Sequence, residues 1–381
     1  MSHSVTRIPL IVMSPGTERS HTVHSFGVAS ARPKAYLQAG IHADEIPGLL
    51  VLHHLLRRLV AADRRGEIAG EIVVVPFANP IGLSQRLKGV LLGRYEFSGG
   101  DNYNRKFPNL DEAVAERVDG RLGTDAGKNV AAIRAAMLAE LDDRTAETDL
   151  EAQRLTLMRL AVDADIVLDL HCDSEAILHL FLGDHLWPEA ADLSAQLASR
   201  ATMLAIDSGD DPFDESCSRP WWFLAERFGE RYPIPPACLA ATVELRGTAD
   251  VGDHVAVADA DNLFRFLQRR GVVAGDPGPL PEPQCEATPF SGVDYVIAPS
   301  AGVVTYHKAP GDRVKAGETV AELIDPAAAD PTAARVALDS PVEGVMVGRH
   351  LMKLARAGER ICKIAGATPL AHRKAGALML D

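Results

Sequence analysis

The sequence has no CxxC pair, no apolar run approaching membrane-spanning length and no excess of positive charge. Each absence excludes something. A formal net charge of -13 leaves no basic face for nucleic acid. It says little about small substrates, because a few local arginines can outweigh a distant negative surface. The apolar patch from Ile8 to Met13 is short and has polar flanks, so neither a signal peptide nor a membrane span is expected. Five scattered cysteines (Cys172, Cys217, Cys238, Cys285, Cys362) are odd in number and suit reduced thiols in the cytoplasm rather than a disulfide framework. What is present is an ordinary globular composition, 47% hydrophobic and 24% charged. With 381 residues the chain is long enough for two domains.

The stretch Leu37 to Gly48 organises the rest. An apolar run, residues 34–39, stops at Gly40. His42 and Glu45 follow, and a helical periodicity begins with Pro47 in its first turn. The pattern predicts a strand, a sharp turn and a helix start. The turn then presents an imidazole and a carboxylate at the carboxyl end of a strand, where open α/β sheets place ligands. Both groups are good zinc ligands, although the H-x-x-E spacing by itself equally fits a surface turn.

Taken in order, residues 7–13 and 21–28 read as an antiparallel edge. Residues 46–60 read as an amphipathic helix and 71–78 as a buried strand. This β-α-β order favours a sheet with helices on its faces. After Asn79-Pro80 and Gln85-Arg86 comes a polar, glycine-rich loop containing Asn104-Arg105, and residues 109–124 read as exposed loop. Helices are expected at 126–141, 147–162 and 189–205. Residues 165–170 form a third buried strand ending in His171, and 240–245 an apolar strand delivering Glu244. The aperiodic stretch 208–237 reads as a long loop, of the kind that is usually functional or a lid. Residues 253–270 read as an amphipathic helix.

Three strand ends therefore carry His42 with Glu45, His171 and Glu244. Two His and one Glu form the set used by catalytic zinc sites, with the fourth position left for water. A further carboxylate beside them can take a proton from that water and pass it to a leaving amine. An arginine near the site can stabilise an oxyanion, and a second, paired with an Asn, can fork onto a substrate carboxylate.

In the order Gly40-x-His42-x-x-Glu45, Asn79-Pro80 with Arg86, Asn104-Arg105, Asp169-Leu170-His171 and Val243-Glu244, the sequence resembles the succinylglutamate desuccinylase/aspartoacylase family, a branch of the zinc carboxypeptidase-like (M14) fold. The resemblance spans about residues 35–247 and the β-rich tail. It implies one zinc held by His42, Glu45 and His171, with Glu244 as general base and acid. It implies Arg86 as the oxyanion and carbonyl contact, and Asn104 with Arg105 as the clamp on the substrate's α-carboxylate. The implied reaction is hydrolysis of the amide of an N-acyl amino acid. Two positions depart from the family pattern. Ala43 stands where the family has Gly. Asn102 stands where it often has an Asp to support a zinc-bound His, leaving Asn102, Asp101 and Asp44 as candidates for that support.

Other polar residues have blander readings. His53 and His54 read as helix-surface or packing residues, and Trp221-Trp222 as loop packing. His179 and His185 lie close to the third ligand in sequence without a motif. Asp173 either contacts substrate or caps a turn. Asp169 points to the same side of its strand as His171, or satisfies backbone groups. Arg246, two after Glu244, shares its face if the strand continues.

Residues 274–290 contain five prolines and read as a linker. Beyond them, short strands with Gly turns recur in two similar halves, which suggests a small all-β sandwich of the biotinyl/lipoyl type. The hairpin 325–335 carries no lysine, so a carrier role is not expected. The expected organisation is thus an α/β catalytic domain, residues 1–273, with a mixed sheet flanked by helices, a linker at 274–290, and a barrel-sandwich domain at 291–381. The expected activity is a zinc-dependent deacylase of a small N-acyl amino acid. The alternatives are a zinc carboxypeptidase acting on short peptides and a non-catalytic small-ligand-binding protein. No nucleic acid or membrane partner is expected. A homo-oligomer is left open.

Overall fold

The computed structural model describes residues 2–378. Strands β1 (Ser4–Pro9) and β2 (Ser20–Phe26) pair antiparallel. β3 (Lys34–Ala39), helix α1 (Pro47–Arg65) and β4 (Glu71–Val75) form a βαβ unit with its two strands parallel. A separate hairpin follows, β5 (Arg86–Leu87) with β6 (Val90–Leu91). Helices α2 (Asp111–Val118), α3 (Ala126–Asp142) and α4 (Asp149–Ala161) lead to β7 (Ile166–Asp173), β8 (Glu175–Ala176) and β9 (His179–Gly183). Next come α5 (Ala191–Gln196), β10 (Ala201–Ala205), α6 (Phe213–Phe228), β11 (Leu239–Gly247), α7 (Asp253–Arg269) and β12 (Ala287–Pro289). The central sheet has nine strands in the order β1-β2-β4-β3-β7-β11-β9-β10-β12. It is mixed: β4, β3, β7 and β11 run parallel, while β9 runs antiparallel to β11.

Strand alternation explains the two layers. Leu37, Ala39, Leu168, Leu170, Ala241, Val243 and Leu180 face one side, against α1 and α7. Tyr36, Val167 and Ala240 face the other, against α2, α3, α4 and α6. Helix α1 illustrates why these segments fold locally. Pro47 sits at its start, where a missing N–H costs nothing, and Gly66 closes its end in the left-handed region. Val51, Leu52, Leu55, Leu59 and Ala62 are spaced to bury one stripe, at about 1.5–3 kcal/mol for each large side chain.

The remaining strands are β13 (Val293–Ile297), β14 (Gly302–Tyr306), β15 (Arg313–Val314), β16 (Thr319–Ile324), β17 (Arg335–Asp339), β18 (Gly344–Arg349), β19 (Leu354–Ala355) and β20 (Arg360–Ala365). They form two antiparallel sheets, β13-β20-β18-β15 and β17-β16-β14-β19, around a core that includes Val304, Leu323, Met346 and Ile364. The first of these sheets also takes in β8, which directly follows β7.

Three segments differ from the sequence expectation. Residues 111–118 form α2, burying Val114 and Val118, where loop was expected. Residues 189–205 divide into the short helix α5 and strand β10, because a turn through Ala198 at φ 55 ends the helix. Residues 213–228 form α6 despite an internal Pro220, and its buried stripe includes Phe213, Cys217, Trp221 and Leu224. Within the expected linker, Ala287–Pro289 pairs with β10 as an edge strand. No helix among the described residues is long and apolar enough to cross a membrane.

Candidate metal centre and active site

Sheet register assembles the site. Gln38 lies opposite Asp169, Asp169 opposite Thr242, and Thr242 opposite Phe181. One step along, His171 lies opposite Glu244 and Glu244 opposite His179. These residues alternate with the apolar set under α1 and α7, so they share the other face. His42 and Glu45 arrive from the turn after β3. Gly40 makes that turn at φ +69, and a Cβ there would meet Leu49 at 2.8 Å. Gly93 lets the following loop lie against the turn: Ala43 N–H donates to its carbonyl at 2.9 Å, and a Cβ on Gly93 would meet Ala43 Cβ at 2.6 Å.

His42, Glu45 and His171 are buried, with donor atoms all within 4.8 Å of one another. Their hydrogen bonds show what belongs between them. Asn102 Oδ1 already accepts from Asn104 N–H at 2.9 Å, so His42 Nε2, 2.8 Å away, must be a donor to it. A neutral His42 then turns the Nδ1 lone pair towards Glu45 Oε1 at 2.9 Å. His171 faces Asp169 Oδ2 through Nε2 and Glu45 Oε2 through Nδ1, both at 2.9 Å. The group has more acceptors than protons and calls for a cation. A buried His–Glu–His set of this chemistry can hold a metal ion.

The electrostatics agree. Burial, helped by the Arg94 guanidinium, pushes His42 down to about 4. Burial also opposes charge on His171 and Glu45, but their mutual attraction wins: the imidazole is raised, with Asp169 contributing, and the carboxyl is lowered. Glu244 is different. Burial, then repulsion from Glu45, pushes its carboxyl up to about 8, and its Oε2 has no hydrogen-bond partner.

A cavity of about 150 Å³ opens over this set. His42, Glu45, His171, Glu244, Asn104 and Arg105 all line it. Arg86 does not. It is exposed in β5, reaching only the Gly89 carbonyl at 3.5 Å, because the β5–β6 hairpin turns its side chain away from the cleft. Arg94 lines the cavity instead, with Nη1 3.0 Å from Glu45 Oε1 and 3.3 Å from His42 Nδ1. No spacing in the sequence marks Arg94; only the close approach of Gly93 to Ala43 delivers it. Asn104 is held from behind, its Oδ1 accepting from Phe213 N–H at 3.0 Å.

The structure also settles the blander readings. Asn102 supports His42, while Asp101 pairs with Lys106 and Asp44 contacts neither His. Asp169 supports His171. Asp173 lines the cavity and pairs with Lys363 of β20 at 2.8 Å; that pair outweighs burial and holds the carboxyl low. His54 bonds Asp253, far from the cavity, and Trp221 is core under Arg134. His179 is buried next to Glu244 in register and lowered to about 4 by burial, so it is neutral. Arg246 leaves the Glu244 face. A bulge between Glu244 and Gly247, with Arg246 at φ 64, turns it to Asp259 of α7. Tyr295 and Lys363, from the C-terminal sheet, complete the cavity wall. Sequence patterns gave no sign of either.

Residues 31–142 match the catalytic domain of the succinylglutamate desuccinylase/aspartoacylase family. The chain belongs to that family. A curated relative, the N-alpha-acetyl-L-2,4-diaminobutyric acid deacetylase of Halomonas elongata, is 25% identical over 344 residues, covering 87% of this chain and 82% of the relative. A crystal structure of a family protein from Shewanella amazonensis SB2B superposes with a TM-score of 0.85 at 25% identity, covering 95% of this chain and 98% of that one. The product-bound ectoine utilization protein EutE (DoeB) from Ruegeria pomeroyi shares the fold, with a TM-score of 0.66 at 17% identity over 96% of this chain and 95% of that one.

Proposed function

We propose that this family member is a zinc-dependent amidohydrolase that removes the acyl group from a small N-acyl amino acid. The observation that carries this reading is the buried His42–Glu45–His171 set facing Glu244 and Arg94 across one small cavity. Zinc fits a two-His, one-Glu donor set and, when bound, supplies Lewis acidity towards a water and the amide carbonyl. The chain's own residues supply the rest. Asn102 and Asp169 fix the two imidazoles so that their Nδ1 atoms face Glu45. Glu244 takes a proton from the attacking water and returns it to the leaving nitrogen, a task suited to a carboxyl poised well above its usual range. Arg94 donates to the developing oxyanion. Arg105 and Asn104 hold the α-carboxylate.

In the same reading residues 1–273 are the catalytic domain, 274–290 the linker and 291–381 a covering domain. Tyr295 and Lys363 on the cavity wall support this, since a roof there narrows the cleft against long peptides and disfavours a carboxypeptidase. Five free thiols, four of them buried, suit a cytoplasmic setting. The test is a hydrolysis screen of zinc-loaded protein over N-acetyl, N-succinyl and N-formyl amino acids, with chelator-treated protein beside it. Zinc-dependent release of free amino acid is expected. Equal activity after chelation, or no turnover across the panel, refutes the proposal.

A further inference from the structure

A second, smaller cavity opens off the first behind Thr242. Phe181, Thr242 and Phe290 line both. The small one measures about 10 Å³, room for one water-sized group. Met203 and Pro212 are among its apolar walls, and its polar lining beyond Thr242 is Ser208, Asp214 and Glu215. Among the described residues no Lys, Arg or His lines it, and neither acid makes an ion pair. Asp214 is buried, and Ser208 is 2% exposed with its Oγ lacking any partner.

Part of this has an ordinary explanation. Both acids lie in the first turn of α6, where the helix dipole favours negative charge, and Glu215 accepts from Ser208 N–H at 3.0 and 3.1 Å. The dipole is equivalent to only about half a positive charge, however, against two carboxyls. It also leaves the Ser208 hydroxyl unused. The larger cavity is already balanced in contrast: Arg94 faces Glu45 and Lys363 faces Asp173.

We propose that the small cavity receives the terminal ammonium of the substrate's side chain, so that the enzyme acts on N-acyl derivatives of short diamino acids rather than of dicarboxylic ones. This rests on the deacylase reading and names its substrate class. An ammonium is about the size of a water and carries three donors, matching Asp214, Glu215 and Ser208 Oγ. The methylene stem passes between Phe181 and Phe290. A carboxylate in the same place would be too large and would meet two acids. The raised carboxyls, Asp214 at about 6 and Glu215 at about 8 through burial first and their mutual repulsion, are what acids do in a pocket whose cation arrives with the ligand.

The test measures binding and turnover on the zinc-loaded full chain. Calorimetry compares free L-2,4-diaminobutyrate with norvaline, its neutral counterpart, and with glutamate. Diaminobutyrate is expected to bind at least about tenfold tighter, as a desolvated charge pair allows. Asp214→Asn and Glu215→Gln keep the shape and are expected to shrink that preference to within about threefold. Ser208→Ala, which leaves both acids in place, is expected to weaken diaminobutyrate and not norvaline, and it decides the matter if either acid variant fails to fold. Equal binding of the three amino acids, or a preference unchanged in the variants, means a buried water site only and overturns the proposal. Turnover of N-acetylnorvaline or N-acetylaspartate as fast as N-acetyldiaminobutyrate also overturns it, while leaving the deacylase reading intact. Absence of all turnover overturns that reading instead, and the binding measurements still decide the ammonium site.

Discussion

Replacing Arg94 by Ala separates the geometry of this site from its sequence motif. The motif points to Arg86, which is exposed and bonds only the Gly89 carbonyl. The cavity contains Arg94, with Nη1 within 3.3 Å of His42 Nδ1 and 3.0 Å of Glu45 Oε1. A guanidinium there lies beside the place where a carbonyl oxygen over the donor set gains charge. Removing one oxyanion donor costs about 10²–10³ in kcat, roughly 2.7–4 kcal/mol. Arg94→Ala is therefore expected to lower kcat into that range. KM should change less, because Arg105 and Asn104 still hold the carboxylate. Zinc content should not fall, since losing a positive neighbour makes Glu45 no worse a ligand. Arg86→Ala should leave kcat within about twofold, as exposed substitutions do. The assay is steady-state hydrolysis on the best substrate of the screen, with metal analysis of both variants. If Arg86→Ala loses as much activity as Arg94→Ala, or Arg94→Ala keeps a third of wild-type kcat, the assignment of the oxyanion contact is wrong.

His42→Ala is expected to bind much less than one zinc per chain, and undiminished zinc by elemental analysis would sink the ligand assignment. Glu244→Gln should keep its zinc and fold but lose about 10²–10⁴ in kcat, the span of general acid–base catalysis; a variant that loses its metal would make Glu244 a ligand instead. Stability should depend on pH through Glu215. Its carboxyl titrates near 4.5 when unfolded and about 8 when folded, so its contribution is complete at acid pH and is lost as pH rises between those values. The shift corresponds to a few kcal/mol at most, and Glu215→Gln should flatten the fall in melting temperature from pH 5 to 8; an unchanged slope refutes the burial argument.

The strands that carry the site were legible because each is an apolar run ending in a chemically distinctive residue: β3 before His42, β7 at His171, β11 at Glu244. Period-2 burial and a run of Val, Ile and Leu suffice to mark them. Helix α6 was not legible, because Pro220 and several Asp and Ser residues interrupt the pattern. Its stability comes from burying Phe213, Trp221 and Leu224 against β7, β9 and β11, a tertiary effect no local window contains. Strand β9 was hidden for a related reason. Its five residues are buried on both faces, so they do not alternate, and the only polar one is His179.

Arg246 and Lys363 show where reading a site from sequence stops. Arg246 is two residues from Glu244 and by strand periodicity belongs beside it, yet one bulge sends it to α7. Lys363 is more than a hundred residues from Glu244 and reaches the same cavity. It does so because β8, immediately after the His171 strand, pairs with β18 of the C-terminal sheet, and Glu175 of β8 is held by Arg349 and Lys353 from that sheet. The loop that follows a metal-site histidine is thereby stitched to the last strands of the chain, and Asp173 meets Lys363 as a consequence. The β-rich tail then acts on the reactive cavity through this seam. Its role is to position Asp173, Tyr295 and Lys363 around the substrate, a role that needs no carrier lysine on its exposed hairpin.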